Sequence, residues 1–462
     1  MKPVISFHLA MFIGLVQANS IAQSFEIKDG DLLQPYLVSQ RDHSAFRLTY
    51  KVKTKNKKLI HYRSIDFDTS LSVVDTVSLF LKGDYSFVAS AESSKSMGIL
   101  MGSAYGDLIL YVFDKISRQI TPFRMKLASP WNEKKTTWLL TDPNLDGFLI
   151  FYEASVGQKW EILAHSERGK LTWSTQFDQP GFSILDATIE EGRIFIICGE
   201  DVGTKKERNI FRILDFREGT QLFNFELDDK ENQRVIDNIL PFNEEEVLLT
   251  GRSYQKKTMS SSPIELPLIW KMNLVTGEKN QIIFRTDSLS NNRILWFDIV
   301  RKNGVPCLIG EGARTASNAG ATLAFGLVSG LMTGGRSIGL PNLASLKLNE
   351  VVFMPITSDR PVAKSFSVST KEIPSSGNKP ALQFIRWAHK AGKTHLLSTD
   401  ANGNFFVANR GQVVAVDPFH GTKTIGKYLA EDDVIFTSAK QIIQLKKLDN
   451  NKLYIWLTHF DK

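Results

Sequence analysis

The sequence predicts an all-β fold made of repeated units, and three observations lead to this prediction. Short runs of β-branched and aromatic residues recur along the chain, separated by turns rich in Gly, Asn and Asp. Long amphipathic helical patterns are scarce. One apolar strand returns at intervals of about 50 residues, the length of a four-stranded unit. We interpret it as the second strand of each unit, and its copies begin at Ile99, Phe148, Ile194, Val247, Val305 and Thr394.

A repeat of this length predicts a β-propeller, in which each unit forms one blade. The hairpin strands Phe46–Tyr50 and Leu59–Arg63 near the N-terminus lack a partner unit, as do Gln441–Leu445 and Leu453–Leu457 near the C-terminus. We expect these two pairs to combine into one blade and to close a ring without long exposed edges. This pairing gives seven blades, with six or eight also compatible, in a single domain over residues 23–462.

Composition and charge narrow the function classes. The 462 residues are 42% hydrophobic and carry 56 Lys and Arg against 49 Asp and Glu, a formal charge of +7. This balance is ordinary for a globular protein, which excludes collagen-like, disordered and disulfide-rich classes. The charge is small and of mixed sign, so we expect no nucleic-acid partner. Cys198 and Cys307 lie in apolar strand-like runs and are predicted to be buried free thiols.

The N-terminus has the organisation of a secretory signal peptide. A basic start at Lys2 precedes the apolar run Val4–Val16, and the small residues Ser20 and Ala22 form a cleavage site. Residues 1–22 are therefore predicted to be removed on export, which makes the protein periplasmic or secreted. No cysteine lies near Ala22 at the predicted cleavage site, so the chain is not expected to be a lipoprotein.

The turn at Thr141–Gly147, with the sequence Thr-Asp-Pro-Asn-Leu-Asp-Gly, feeds the apolar strand Phe148–Phe151. In this feature the chain resembles TolB-type and other extracytoplasmic β-propellers. The resemblance implies the architecture over most of residues 40–460 and implies no particular activity.

The first strand of each unit is expected to line the central channel of a propeller. Six residues before each predicted turn, these strands carry mostly acidic residues at one level: Glu92, Thr141, Asp186, Asp237, Asp298 and Arg386. Such a ring has the oxygen ligands for a hard cation such as Ca²⁺, or for a basic ligand. The favoured alternative is that each side chain caps the backbone of a neighbouring blade.

Two further motifs suggest specific chemistry. Four side chains fit the spacing of a calcium-binding EF-hand loop: Asp142, Asn144, Asp146 and Glu153. The strand-like flanks and the apolar Ile150 favour a hairpin turn instead. Ser337 lies in a Gly-x-Ser-x-Gly pattern, but the surrounding Gly-rich stretch lacks the strand-to-helix context of a hydrolase nucleophile. We therefore predict no catalytic residue.

An insertion at 313–346 interrupts the repeat. Residues 315–335 carry no charge, and small and apolar side chains recur within them, including Gly326, Gly330 and Gly334 with Phe325, Leu327 and Leu331. On a helix the three glycines would share one face and allow close approach of another backbone. A small-residue hairpin or helix over one propeller face is the favoured interpretation. A membrane-touching or self-associating element and a flexible lid are the alternatives.

Two function hypotheses follow. The favoured one is an exported, non-catalytic propeller that binds a protein or envelope component through the insertion, with peripheral membrane contact through 315–335 as a variant. The alternative is a propeller enzyme of the glycan or ester hydrolase or lyase type, with its site in the acidic channel. No cofactor is firmly implied; Ca²⁺ is the one considered.

Overall fold

The computed structural model describes most of the chain outside its first 23 residues and several loops. The described residues are 24–27, 30–31, 45–52, 59–68, 70–82, 85–93, 95–142, 146–201, 208–228, 232–255, 265–286, 293–315, 345–357, 361–374, 394–400, 402–428, 433–438, 441–448 and 452–459. Within these ranges all regular structure is β, in 33 strands. The predicted all-β class is confirmed.

The strands form eight sheets in chain order. The N-terminal strand β1 (Ser24–Ile27) is the exception to this order, because it is the fourth strand of sheet 8, whose other strands come last in the chain. Sheet 1 contains β2 (Gly30–Asp31), β3 (Ala45–Val52), β4 (Leu59–Asp68) and β5 (Val73–Lys82). Sheet 2 contains β6 (Tyr85–Glu92), β7 (Ser96–Ser103), β8 (Leu108–Asp114) and β9 (Ile120–Arg124). Sheet 3 contains β10 (Thr137–Leu140), β11 (Phe148–Ser155), β12 (Lys159–His165) and β13 (Leu171–Asp178). Sheet 4 contains β14 (Ser183–Glu190), β15 (Arg193–Glu200), β16 (Arg208–Asp215) and β17 (Gln221–Glu226).

The second half of the chain continues the pattern. Sheet 5 contains β18 (Asn232–Pro241), β19 (Glu246–Gln255), β20 (Glu265–Asn273) and β21 (Lys279–Gln281). Sheet 6 contains β22 (Arg285–Thr286), β23 (Arg293–Lys302), β24 (Val305–Thr315), β25 (Ser345–Pro355) and β26 (Val362–Pro374). Sheet 7 contains β27 (Leu396–Thr399), β28 (Phe405–Asn409), β29 (Gln412–Asp417) and β30 (Gly421–Lys427). Sheet 8 contains β31 (Asp433–Ser438), β32 (Gln441–Leu448) and β33 (Lys452–His459). All neighbouring strands are antiparallel except the short β22, which pairs in parallel with β26 beyond the four main strands of sheet 6.

The prediction of seven blades is wrong, because the described strands form eight sheets. The N-terminal hairpin β3–β4 and the C-terminal pair β32–β33 were expected to share one blade. Each pair instead has its own third strand, β5 or β31, and so belongs to a separate sheet. Closure by the chain termini is still observed, since Ser24 pairs with Trp456 and Ile27 with Leu453. The strand at Thr394 is also displaced, because Leu396–Thr399 is the first strand of sheet 7 and not its second.

Buried apolar side chains fill the interfaces between consecutive sheets. One such cluster lies between sheets 3 and 4, where Phe151 and Trp160 pack with Ile196 and Cys198. Corresponding clusters join the other consecutive pairs from sheets 1 and 2 to sheets 7 and 8. Cys198 and Cys307 are both buried free thiols, as predicted, and burial raises the pKa of each to about 12. The sheets therefore stand side by side as propeller blades.

The turns between the first and second strands of successive sheets contact one another, so they lie on the same side of the ring. The contacts join first-to-second-strand turns of sheets 2 to 7: Lys95 with Asp146 (2.5 Å), Asp142 with the Gly192 amide (3.1 Å), Arg193 with the Glu244 carbonyl (3.2 Å), Arg301 with the Phe242 carbonyl, and Lys302 with Asn404 (2.9 Å). The side of the ring that carries these turns, and those between third and fourth strands, is called the turn face below. The opposite side is the loop face.

The insertion of sheet 6 is shorter than predicted. Ala313–Thr315 belong to β24 and Ser345 and Leu346 to β25, and residues 316–344 lie outside the described residues. The insertion joins the second and third strands of its sheet. It therefore leaves and re-enters the propeller on the loop face.

Candidate functional site

The first strands of sheets 4, 5 and 6, which are the innermost strands, each contain a β-bulge. A polar side chain beside each bulge accepts a hydrogen bond from the backbone. Asp186, Asn238 and Asp298 each directly follow the bulged residue. A bulge leaves a backbone N–H without a partner in the ladder. The Oδ1 atom of each side chain accepts the N–H of the next residue, at 2.9 Å, 2.9 Å and 2.8 Å respectively.

Two of these side chains also bond to the next blade. The Asn238 amide donates to the Trp296 carbonyl at 2.9 Å, and the Thr399 hydroxyl donates to Asp298 Oδ2 at 3.4 Å. Burial raises the pKa of Asp298, although hydrogen bonds from the Ile299 amide and the Thr399 hydroxyl act in the opposite direction. The sequence interpretation placed each cap on the backbone of a neighbouring blade, whereas Asp186 and Asp298 accept the amide of the next residue in their own strand.

The other predicted ring residues lie at different levels. Asp237 is itself the bulged residue of β18 and makes a buried bidentate pair with Arg252 of its own sheet, at 3.0 and 3.1 Å. Glu92 ends β6 and pairs with Lys115 at 2.5 Å. Thr141 donates to the Gly147 carbonyl at 2.5 Å. Arg386 lies outside the described residues.

The structure does not bring the EF-hand-like residues together. Asp142 and Asp146 lie at the turn-face end of β11, where they bind the Gly192 amide and Lys95. Glu153 lies near the loop-face end of the same strand, about 20 Å away at the rise of an extended chain. Its carboxylate accepts the amides of Thr136 and Gly157 at 3.3 Å. Asn144 lies outside the described residues.

The described part of the chain has neither a metal-binding cluster nor a membrane-spanning helix. It contains no cluster of three His, Cys, Asp or Glu side chains suited to a metal ion. It also contains no helix long and apolar enough to cross a bilayer. The predicted contact residues Phe325, Gly326, Leu327, Gly330, Leu331 and Gly334, together with Ser337, fall outside it.

Hydrogen-bonded loops form a surface on the loop face of sheets 2 to 4. We call it the loop-face platform; it consists of residues 103–107, 125–136, 155–158 and 179–182. Backbone contacts join these loops: the Trp131 amide donates to the Gly106 carbonyl (2.9 Å) and the Gly181 amide to the Gly157 carbonyl (3.0 Å). Gly102 makes room for the Trp131 ring, because a Cβ atom there would lie 2.3 Å from it.

A buried polar cluster supports the platform from below. The Tyr152 hydroxyl lies 2.8 Å from the Ser129 carbonyl oxygen and 2.9 Å from that of Pro130. Lys135 donates to the Ser129 hydroxyl at 2.7 Å, to the Pro130 carbonyl at 2.9 Å and to the Tyr152 hydroxyl at 3.0 Å. The ammonium group thereby uses all three of its protons as hydrogen-bond donors. The cluster fixes the shape of the loop, and Ser129 is not arranged as an activated nucleophile.

The platform exposes Tyr105, which is 83% exposed, and Val156, which is 52% exposed. Pro130 is also exposed and lies against Gly106, the neighbour of Tyr105. Exposed Tyr on a rigid backbone is typical of protein-binding surfaces, because little conformational entropy is lost on contact. Sequence reasoning missed this surface. The Ala-Tyr-Gly-Asp turn could have indicated that Tyr105 is exposed. Nothing in the sequence indicated that loops from three sheets come together beside it.

Comparison with known proteins yields distant structural similarities. No protein-family model matches the sequence, and no curated protein matches it. The β-propeller domain of the Trilobed protease from Pyrococcus furiosus is 9% identical, with 82% of this chain and 96% of that chain covered and a TM-score of 0.39. Sqt1 from Saccharomyces cerevisiae is 10% identical, with coverage of 90% and 93% and a TM-score of 0.41. A lignostilbene dioxygenase from Pseudomonas brassicacearum is 10% identical, with coverage of 86% and 90% and a TM-score of 0.36.

These likenesses are too loose to carry an argument about this chain. Its class is defined by its own sheets: successive four-stranded antiparallel blades, apolar interfaces between them, and a last blade completed by the N-terminal strand. The protein is a β-propeller.

Proposed function

We propose that this propeller is a non-catalytic binding module that holds a protein or envelope component on its loop face. The observation that carries the proposal is the loop-face platform, where interlocked loops present Tyr105 and Val156 to solvent. The predicted insertion departs from Thr315 and returns at Ser345 on the same face. Platform and insertion would then contact one partner together.

The enzyme hypothesis has less support from the channel. Asp237 is neutralised by Arg252, and the Oδ1 atoms of Asp186 and Asp298 are occupied by backbone amides. A general acid or nucleophile must instead reach its substrate.

We also propose export, on the strength of the signal-peptide pattern in residues 1–22 and the resemblance to TolB-type propellers. Mass spectrometry of the protein from its native host tests this. A mature chain that begins at Gln23 supports export, whereas a chain that keeps residues 1–22 contradicts it.

Affinity capture from an envelope extract tests the binding function. Tyr105→Asp and Val156→Asp alter the loop face, and deletion of 315–335 removes the centre of the insertion. Ile116→Asp and Val275→Asp are matched controls, because Ile116 (81% exposed) and Val275 (63% exposed) lie on the turn face. We expect a partner that the controls retain and the loop-face variants lose. A partner held equally by all five folded variants would place its contact elsewhere.

A further inference from the structure

His165 is a buried histidine whose two ring nitrogens have different surroundings. It ends β12 at the turn face and lies opposite Phe148 of β11, which belongs to the apolar cluster between sheets 2 and 3. Cross-strand partners share one face of a sheet, so the His165 ring also points toward sheet 2. Only 7% of the residue is exposed. Its Nδ1 atom lies 2.8 Å from the Gly169 carbonyl oxygen, whereas its buried Nε2 atom has no hydrogen-bond partner among the described residues.

This arrangement determines the charge of the His165 ring. A carbonyl oxygen only accepts hydrogen bonds, so Nδ1 carries the proton of the neutral imidazole and Nε2 keeps a lone pair. A second proton would bind at Nε2 and create a charged, buried N–H group without an acceptor. Burial accordingly lowers the pKa of His165, although the hydrogen bond to Gly169 acts in the opposite direction. The folded protein therefore favours the neutral ring.

The charged side chains in the described turns around His165 pair with one another and not with its ring. The pairs are Lys95 with Asp146 (2.5 Å) and Glu167 (3.9 Å), Lys115 with Glu92 (2.5 Å), Arg118 with Asp75 (3.7 Å), and Arg168 beside Asp114; Lys170 is exposed. His395 also has a buried Nε2 without a described partner. Its Nδ1 atom, however, lies 2.8 Å from the Glu311 carboxylate, which would be a counterion for a charged ring. His165 has only a neutral carbonyl in that place.

The hydrogen bond from His165 holds a turn that contacts the neighbouring sheet. Gly169 lies in the turn between β12 and β13 and has a left-handed backbone, with φ of 76°. The Phe123 ring of β9 packs so closely on it that a Cβ atom at Gly169 would lie 1.9 Å from the ring. Phe123 is partly buried against the apolar cluster between sheets 2 and 3. His165, Gly169 and Phe123 thus form a continuous set of contacts, called the histidine seam below, between two blades.

We propose that His165 makes the histidine seam acid-sensitive, so that protonation at Nε2 breaks the hydrogen bond to Gly169 and releases Phe123 from the turn. The charged ring moves toward water, because the seam offers its new N–H group no acceptor. The pKa of the folded state is below the unfolded value of about 6.5. The stability of the seam is therefore complete above about pH 6.5 and is lost as pH falls through the folded pKa. The seam lies on the turn face, so the proposal does not depend on binding at the loop face.

Hydrogen–deuterium exchange of the full chain, read by mass spectrometry, tests the proposal at the seam. After correction for the intrinsic pH dependence of amide exchange, the peptide 165–172 should exchange roughly tenfold faster at pH 5.0 than at pH 7.5. One proton sets a limit of about tenfold for each pH unit below about 6.5. His165→Asn keeps an N–H donor for the Gly169 carbonyl but does not titrate, so it should remove the acceleration. His420→Asn is the matched control, because His420 is 74% exposed, and it should respond as the wild type does.

Circular dichroism at both pH values verifies that each variant is folded. Equal acceleration in His165→Asn and in the wild type would overturn the proposal, because another group would then carry the response to acid. If His165→Asn does not fold, the wild type decides by itself: ¹⁵N-histidine NMR should show a buried, neutral ring with its proton on Nδ1 at pH 7.5. A ring with its proton on Nε2, or no acceleration of the wild-type peptide at pH 5.0, would contradict the assignment.

Discussion

Asn238 and Asp298 occupy the same register position in neighbouring innermost strands, directly after a β-bulge, and each accepts the amide of its successor. One side chain is neutral and the other is ionisable. In sheet 5 the neutral amide of Asn238 makes the same hydrogen bond that the Asp298 carboxyl makes in sheet 6. Comparison of the two positions therefore isolates the effect of charge.

Asp298→Asn should stabilise the protein at neutral pH. Burial raises the pKa of Asp298, so the folded state binds a proton more tightly than the unfolded state. The stability that the folded protein gains from this proton on Asp298 is fully present below the pKa of the unfolded state, about 4. It is lost as the pH rises through the pKa of the folded state. Urea unfolding at pH 7 and pH 4 should therefore show an advantage for the variant that shrinks on acidification. Asn238→Asp, the reverse change, should lose stability at pH 7; equal curves for both variants would refute the assignment.

Asp417→Asn should show the opposite pH dependence. Although burial alone would raise the pKa of Asp417, hydrogen bonds from the Phe419 amide, Lys302 and His420 hold it well below its usual range. This stabilisation is present above the unfolded pKa of about 4 and is lost as pH falls through the folded pKa. The variant should be less stable than wild type at pH 7, and the gap should narrow in acid. A gap that stays constant from pH 7 to pH 3 would show that the charge is irrelevant.

Gly219→Ala should destabilise the protein more than Gly304→Ala. Both glycines have left-handed backbones, with φ of 70° and 79°, so each alanine costs about 1 kcal/mol in strain. At Gly219 the new methyl group also meets the Trp173 ring, at a cost of roughly 1–3 kcal/mol more. At Gly304 no described atom lies within 4 Å. Thermal and urea unfolding of both variants measure the difference, and equal losses would mean that Trp173 does not rest on this glycine.

Arg252→Met should be strongly destabilising, by roughly 3–5 kcal/mol, because it removes the guanidinium partner of the buried Asp237 carboxylate. Arg124→Met is the matched control. Arg124 is 70% exposed in its pair with Asp107, and such surface pairs contribute about 1 kcal/mol or less. Chemical denaturation compares the two. Losses of similar size would indicate that Asp237 is accessible to water.

Architecture was largely predictable from the sequence, because strands and turns leave local patterns. Five of the six repeated strands were placed correctly as second strands, from Ile99 to Val305, by apolar runs that follow a turn. The contacts of Asp186 and Asp298 were not predictable in this way, because both side chains accept an amide of their own strand and not one of a neighbouring blade. The position of Asp237 relative to the bulge was not predictable either. The turn at Asn243 is longer than the Glu191–Gly192 turn, and this shifts by one residue the spacing that was counted back from each turn.

The blade count and the platform were decided by tertiary structure alone. The sequence could not show that the two terminal hairpins belong to separate sheets, since strand pairing is chosen by contacts distant in the chain. The exposure of Tyr105 depends on how the 125–136 loop packs against its turn. Local sequence thus determined the strands and turns of this protein, and the packing of blades determined which side chains remain available to bind.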